Sequence, residues 1–163
     1  MLKFGVIGAG RLGNVHAENI AKLKETAGIE ASVAAVYDPK ESAAEEMHKK
    51  YGASICSSPE ELASNPNLDA VVIASPTYCH QEGIRAAVAG HKYIFSEKPL
   101  CRDKKNSLEM LHLLKNYDKF YTIGFVRRAM AKTKKCKELI DAGFIGKIRF
   151  CNVDLPFGAY RRG

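Results

Sequence analysis

The sequence predicts an α/β fold built on a doubly wound parallel sheet, and three observations predict it. Short apolar runs alternate with segments of helical periodicity along most of the chain, a rhythm that calls for parallel strands joined by helical crossovers. The connections are short, with no internal repeat and no flexible linker. A G-x-G-x-x-G run follows the first apolar stretch directly and opens the first helical one.

The elements follow in order. Residues 2–7 are an apolar run ending in glycine, as a buried parallel strand should be. Leu12, Val15, Ile20 and Leu23 recur at near-helical spacing and predict a helix over 11–24. Residues 29–37, rich in Val and Ala, predict a second strand closed by Asp38-Pro39, and 40–51 an amphipathic helix stopped by Gly52. A short strand is expected at 53–56. Ser58-Pro59-Glu60-Glu61 then reads as a helix start, with Ser as cap and Pro in the first position. Further strands are expected at 70–74, 93–95 and 120–125, and helices at 78–89 (ended by Gly90) and 104–116. Beyond Phe125 a basic helix over 129–142 and a strand over 147–155 are expected. The expected boundaries are 1–125 for the sheet domain and 126–163 for a basic helix and a strand with nothing after it to pair against, which read as the first piece of something larger.

With 46% hydrophobic and 26% charged residues, 13 Gly and 6 Pro in 163, the composition excludes collagen-like, low-complexity and wholly disordered chains. No apolar run approaches the roughly 18 residues needed to span a bilayer, and the N-terminus lacks the pattern of a signal peptide. A cytoplasmic location with no membrane partner is expected. Five widely spaced cysteines with no C-x-x-C pair point to reduced thiols, and no metal site is expected. The net charge of +7 comes entirely from the end of the chain, where residues 127–163 carry 10 Lys/Arg against Glu138, Asp141 and Asp154. No aromatics interleave with Lys132, Lys134, Lys135 and Lys137, so a nucleic-acid platform is not expected.

Four motifs carry chemistry. In Gly8-Ala9-Gly10-Arg11-Leu12-Gly13, Gly8 permits a tight turn, Gly10 admits a pyrophosphate to the backbone, and Gly13 lets helix and strand pack closely. The helix start beyond it, at Arg11 and Leu12, offers free N–H groups and a positive dipole end to phosphates. Asp38, 25 residues beyond Gly13, stands where a carboxylate accepts hydrogen bonds from an adenosine ribose, which favours NAD, with NADP as the alternative. The same aspartate is suited to cap the following helix. Ser75-Pro76-Thr77, with His80 shortly after, and Glu97-Lys98-Pro99 stand at the carboxyl ends of two later strands, where ligands of open α/β sheets bind. A lysine there can hydrogen-bond a substrate hydroxyl, and the Lys98-Pro99 bond is a candidate cis peptide.

The order of these motifs, with Ala89-Gly90-His91-Lys92 before Glu97-Lys98-Pro99 and Gly124-Phe125-Val126-Arg127-Arg128 after it, resembles the Gfo/Idh/MocA oxidoreductases. Arg11-Leu12-Gly13-x-x-His16-Ala17-Glu18-Asn19 is most similar to their inositol dehydrogenase branch. The resemblance implies a Rossmann fold holding NAD(P), with the nicotinamide near Glu97-Lys98-Pro99. It implies hydride transfer from a sugar or inositol-like polyol, Lys98 as the catalytic residue, and Arg127 beside cofactor or substrate. It also implies a second, α+β domain, of which 126–163 is the truncated start, supplying an aspartate and a histidine. Asp154 and the five histidines lie outside that motif, so those roles are not carried over, and the chain as given is expected to bind cofactor but to turn over slowly or not at all. Ala129-Met130-Ala131 replaces the aromatic-Asp-Pro step common in relatives. A homo-oligomer is expected, because a final strand with nothing to pair against leaves an open edge. The alternative is a non-catalytic NAD(P)-binding or redox-sensing module that docks a partner through its basic end.

Overall fold

The computed structural model describes residues 1–153. Strands β1 (Leu2–Ile7), β2 (Ala31–Tyr37), β3 (Ser54–Ile55), β4 (Ala70–Ile73), β5 (Tyr93–Ser96) and β6 (Tyr121–Ile123) form one sheet in the order β3-β2-β1-β4-β5-β6. Every pairing is parallel. The chain winds outward from β1 in one direction, then returns and winds outward from β4 in the other. The carboxyl ends of β1 and β4 therefore face a crevice that no crossover covers.

Side-chain alternation along the central strands builds a core on each face. Val6 and Val72 pack with Ala17 and Ile20 of α1 (Arg11–Ala21) and with Ala44 and Met47 of α3 (Glu41–Tyr51). Between α1 and α3 lies the short α2 (Leu23–Ala27). Ile7, Val71 and Ile73 face the opposite way. They meet Leu62 of α4 (Pro59–Ser64), Ile84 and Ala87 of α5 (His80–Ala89), and Met110 and Leu114 of α6 (Lys104–Lys115). In β2 the register against β1 shifts between Phe4 and Gly5, with Ala34 as the extra residue. That bulge lets Val33 and Val36, three apart, both enter the first core.

Local signals place most boundaries. Ser58 Oγ accepts the Glu61 N–H at 3.0 Å with Pro59 in the first turn, so α4 starts where the sequence says. Asp103 caps α6 through the Asn106 N–H at 2.9 Å. Three expectations change. The helix expected over 11–24 breaks at Lys22 and resumes as α2, which runs to a left-handed Gly28 with φ +69°. Asp38 does not cap α3. Lys40 is the cap residue, and Asp38 Oδ1 accepts its N–H at 2.8 Å, a tight Asx turn two residues earlier. The strand expected over 147–155 is not formed by 147–153, and 154–155 lie outside the described residues. The open edge behind the expected self-association is thus not present among the described residues.

The chain divides after Phe125 into two compact units. The second begins with α7 (Val126–Ala129), and a break at Met130 separates it from α8 (Ala131–Asp141), which is the basic helix expected over 129–142 and starts two residues later. On α8, Lys135 pairs with Glu138 and Lys137 with Asp141. No helix among the described residues is long and apolar enough to cross a membrane.

One buried polar cluster closes the sheet end away from the crevice. The Lys92 ammonium, almost fully buried, donates to the carbonyls of Asn65 at 2.7 Å and Leu68 at 2.9 Å. Tyr117 Oη donates to the Lys92 carbonyl at 2.6 Å. Burial pushes the Tyr117 phenol up to about 12 from an ordinary 10.0. The folded state therefore keeps this proton where the unfolded chain loses it, and the associated stability is intact below pH 10 and lost as pH rises towards 12. Thermal melts across that window should show the wild type losing stability relative to Tyr117→Phe, which carries no ionisable group there. Parallel pH curves for the two proteins would contradict the burial argument.

Candidate functional site

At the carboxyl end of β1 the backbone turns at Gly8 with φ +94°, and the Gly8 N–H donates to the Tyr37 carbonyl at 2.8 Å. A Cβ on Gly8 would lie 2.5 Å from the Ser75 backbone nitrogen, and one on Gly13 would lie 1.9 Å from the Gly8 carbonyl oxygen. Both positions are glycine because the protein's own backbone occupies the space. Gly10 is different. Its φ of −69° suits any residue, and nothing lies within 4 Å of where its Cβ would be. The protein keeps that space open.

The open space belongs to a cleft of about 770 Å³, lined by Gly8 to Leu12 from the turn, Tyr37 to Lys40 from the end of β2, and Ala74 to Pro76 from the end of β4. The N-terminus of α1 points its first-turn amides this way with no side-chain cap and no acidic residue in the first turn, so its partial positive charge is available to an anion. Asn14 steadies the turn by donating to the carbonyls of Ala9 at 2.7 Å and Gly10 at 3.1 Å.

Asp38 clamps the same loop: its Oδ2 accepts the Ala9 N–H at 2.7 Å while Oδ1 holds Lys40 N–H. Each carboxylate oxygen keeps a lone pair beyond these two bonds. Burial, helped by the carboxylate of Glu82, raises the Tyr37 phenol. Ser75 Oγ is buried and has no hydrogen-bond partner among the described residues, an orphan of the kind a ligand satisfies. An open cradle at an uncapped helix start, a carboxylate at the end of β2 and an orphaned hydroxyl fit a dinucleotide.

A second group stands at the end of β5. The Glu97 carboxylate is buried; its Oε1 lies 2.9 Å from His16 Nε2 of α1, and its Oε2 accepts the Lys98 N–H at 3.2 Å. The Lys98 side chain is exposed, and the Lys98-Pro99 bond is cis. His80 begins α5 and is fully buried, with Nδ1 2.7 Å from the Pro99 carbonyl and Nε2 3.0 Å from the Ser75 carbonyl. Those bonds tie the β4 loop to the proline turn.

Of the residues expected at a site, Gly8, Gly10, Arg11, Leu12, Asp38, Ser75 and Pro76 come together on the cleft wall. Gly13 packs beneath it. His80 does not line it, because both ring nitrogens are spent on backbone carbonyls. Thr77 lines a smaller cavity of about 250 Å³ with Arg102 and Asp103, while Glu97 and Lys98 form their own group. Arg127 is exposed on α7, in the second unit. Sequence reasoning missed Asn14, Tyr37, Glu46 and Glu82 on the wall. Tyr37 carried a signal, since it directly precedes Asp38 at a strand's end. Glu82 carried none.

A crevice at the switch point of a parallel sheet in this strand order, floored by a glycine turn and a helix start, defines a dinucleotide-binding Rossmann domain. The comparisons with known proteins narrow that class. The family described as an oxidoreductase family with an NAD-binding Rossmann fold matches residues 2–125, and the chain belongs to this Gfo/Idh/MocA family. It is 36% identical over 147 residues to the myo-inositol 2-dehydrogenase of Thermotoga maritima, covering 90% of this chain and 42% of that protein. A crystal structure of a probable dehydrogenase from Thermotoga maritima superposes with a TM-score of 0.80 at 37% identity, covering 90% of this chain and 43% of that one. The scyllo-inositol dehydrogenase of Lactobacillus casei, solved with NAD(H) and scyllo-inositol, gives a TM-score of 0.80 at 29% identity over 90% of this chain and 42% of that one. The chain thus spans less than half the length of the relatives it matches.

Proposed function

We propose that residues 1–125 bind NAD in the cleft, and that the protein serves in hydride transfer between an inositol-like polyol or sugar and that cofactor. The observation that carries the reading is the space kept open over Gly10 at the uncapped start of α1. The first-turn amides hold the diphosphate there, Asp38 accepts the adenosine ribose hydroxyls, and Ser75 Oγ donates to the cofactor as it passes the end of β4. Asp38 and Glu46 both line the cleft, and two carboxylates oppose a ribose 2′-phosphate, which favours NAD over NADP. Lys40, on the same wall, is the feature that would admit NADP.

When bound, NAD supplies the hydride acceptor at C4 of its nicotinamide. Lys98, exposed beyond β5 and adjacent to the switch point, orients the reacting hydroxyl and helps its proton leave. Arg127 serves beside cofactor or substrate, where a guanidinium suits hydroxyls or a carboxylate. The polyol class is favoured by the two relatives whose names carry myo- and scyllo-inositol.

Turnover tests this reading. Any reduced nicotinamide that the purified protein forms from NAD+ and a panel of cyclitols, sugars and 2-hydroxy acids, followed by absorbance, should come from a cyclitol or sugar, at the slow rate expected of a chain that spans less than half the length of its relatives. Reduction with the 2-hydroxy acids alone would contradict the substrate class.

A further inference from the structure

The reading above gives His16 no role, yet its position is specific. Glu97 is the buried carboxylate of the β5 end, 8% exposed, and its backbone N–H donates to the Ile73 carbonyl at 2.8 Å. Its side chain is held from three directions. His16 Nε2 of α1 meets Oε1 at 2.9 Å, the Lys98 N–H meets Oε2 at 3.2 Å, and Gly124 beyond β6 leaves the room it needs, since a Cβ there would lie 3.3 Å from Oε2. The His16 ring stands edge-on to Phe95 with centroids 4.9 Å apart, so its direction is fixed by packing as well as by the hydrogen bond. His16 is also on the helix whose first turn faces the open space over Gly10.

We propose that His16 is a positioning residue for the nicotinamide half of the cofactor site, fixing the Glu97 carboxylate and so the Glu97-Lys98 turn against the helix that receives the diphosphate. The inference rests on the NAD reading given above. Mechanically, α1 carries both ends of the arrangement: its first turn meets the diphosphate, and its second turn, through His16, holds the turn that bears Lys98. A cofactor bound at one end then finds the lysine at a set distance from the other. Without His16 the Glu97 carboxylate loses the partner on Oε1 and keeps the Lys98 N–H on Oε2, so it is held at one end alone and the turn it braces loses its register.

This role separates from mere fold support, because only one half of the cofactor should feel it. ADP-ribose contains the adenosine and diphosphate but lacks the nicotinamide. Calorimetric titration of the full 163-residue chain should show His16→Ala weakening NAD+ by about tenfold, the effect of one charge-assisted hydrogen bond. ADP-ribose should bind within twofold of the wild type. His16→Gln, which keeps an N–H donor at similar reach, should recover most of the loss, and it keeps the test valid should the alanine variant fold poorly. Equal weakening of NAD+ and ADP-ribose, or an unchanged NAD+ affinity in a folded variant, would overturn the assignment. Failure of the wild type to bind either ligand would instead overturn the cofactor reading, and this inference with it.

Discussion

Gly13→Ala should cost about 3 kcal/mol or more of stability, while Gly10→Ala should melt like the wild type and lose its dinucleotide. The two glycines stand three residues apart in one motif, and the structure assigns them opposite reasons. An alanine methyl at 13 would lie 1.9 Å from the Gly8 carbonyl oxygen. That atom is backbone in the tight turn itself, so no flexible side chain can yield, and overpacking of this kind ranges from about 1 to 3 kcal/mol and beyond. For a domain of this size the melting temperature should fall by roughly 10 °C or more. At position 10 the backbone is extended and the methyl meets nothing. The small loss of cap preference and the gain from a stiffer unfolded chain nearly offset each other. The same methyl occupies the space proposed for the diphosphate, so NAD affinity should fall by roughly 10- to 100-fold. Thermal melts and calorimetry on the two variants check both halves. A Gly10→Ala protein that binds NAD normally would contradict the placement of the diphosphate.

Lys98→Ala should lower turnover of a cyclitol by roughly 100- to 10,000-fold, the range for removing a group that handles the reacting proton. NAD affinity should change by less than about threefold. The separation follows from geometry: Lys98 is exposed and outside the cleft wall, while Gly10, Asp38 and Ser75, the residues proposed for the diphosphate, ribose and cofactor contacts, all line it. Steady-state rates read by reduced-nicotinamide absorbance, with calorimetry on the same samples, check the pair of effects. Turnover retained within tenfold would remove Lys98 from the reaction.

The sheet was legible in the sequence because its logic is local. A parallel strand is a short apolar run, a crossover helix has its own period, and caps such as Ser58-Pro59 announce themselves. Gly8, Gly10 and Asp38 were legible for the same reason, since the first β-α-β unit places them within a span of about 30 residues. What was not legible depends on distance. The bond between His16 and Glu97 joins residues 81 apart. The clamp of Asp38 on Ala9 reaches back across 29. His80 reads as a ligand-facing histidine until the Ser75 and Pro99 carbonyls are seen on either side of its ring. The end of the chain misled through composition: Lys147 to Val153 alternate as a strand would, yet no neighbouring strand among the described residues pairs with them, and an isolated strand has no ladder to hold it. The charge there is also less available than its count suggests, since Lys135 and Lys137 are neutralised by Glu138 and Asp141 on the same helix.

The account stands on the diphosphate lying over Gly10 at the start of α1, with the ribose on Asp38. Calorimetric titration of the folded wild-type chain with NAD+ and, separately, NADP+ tests this most directly. Saturable heat with one site per chain, and tighter binding of NAD+ than of NADP+, is the predicted result. No heat with either dinucleotide from protein whose melting curve shows it folded would contradict it.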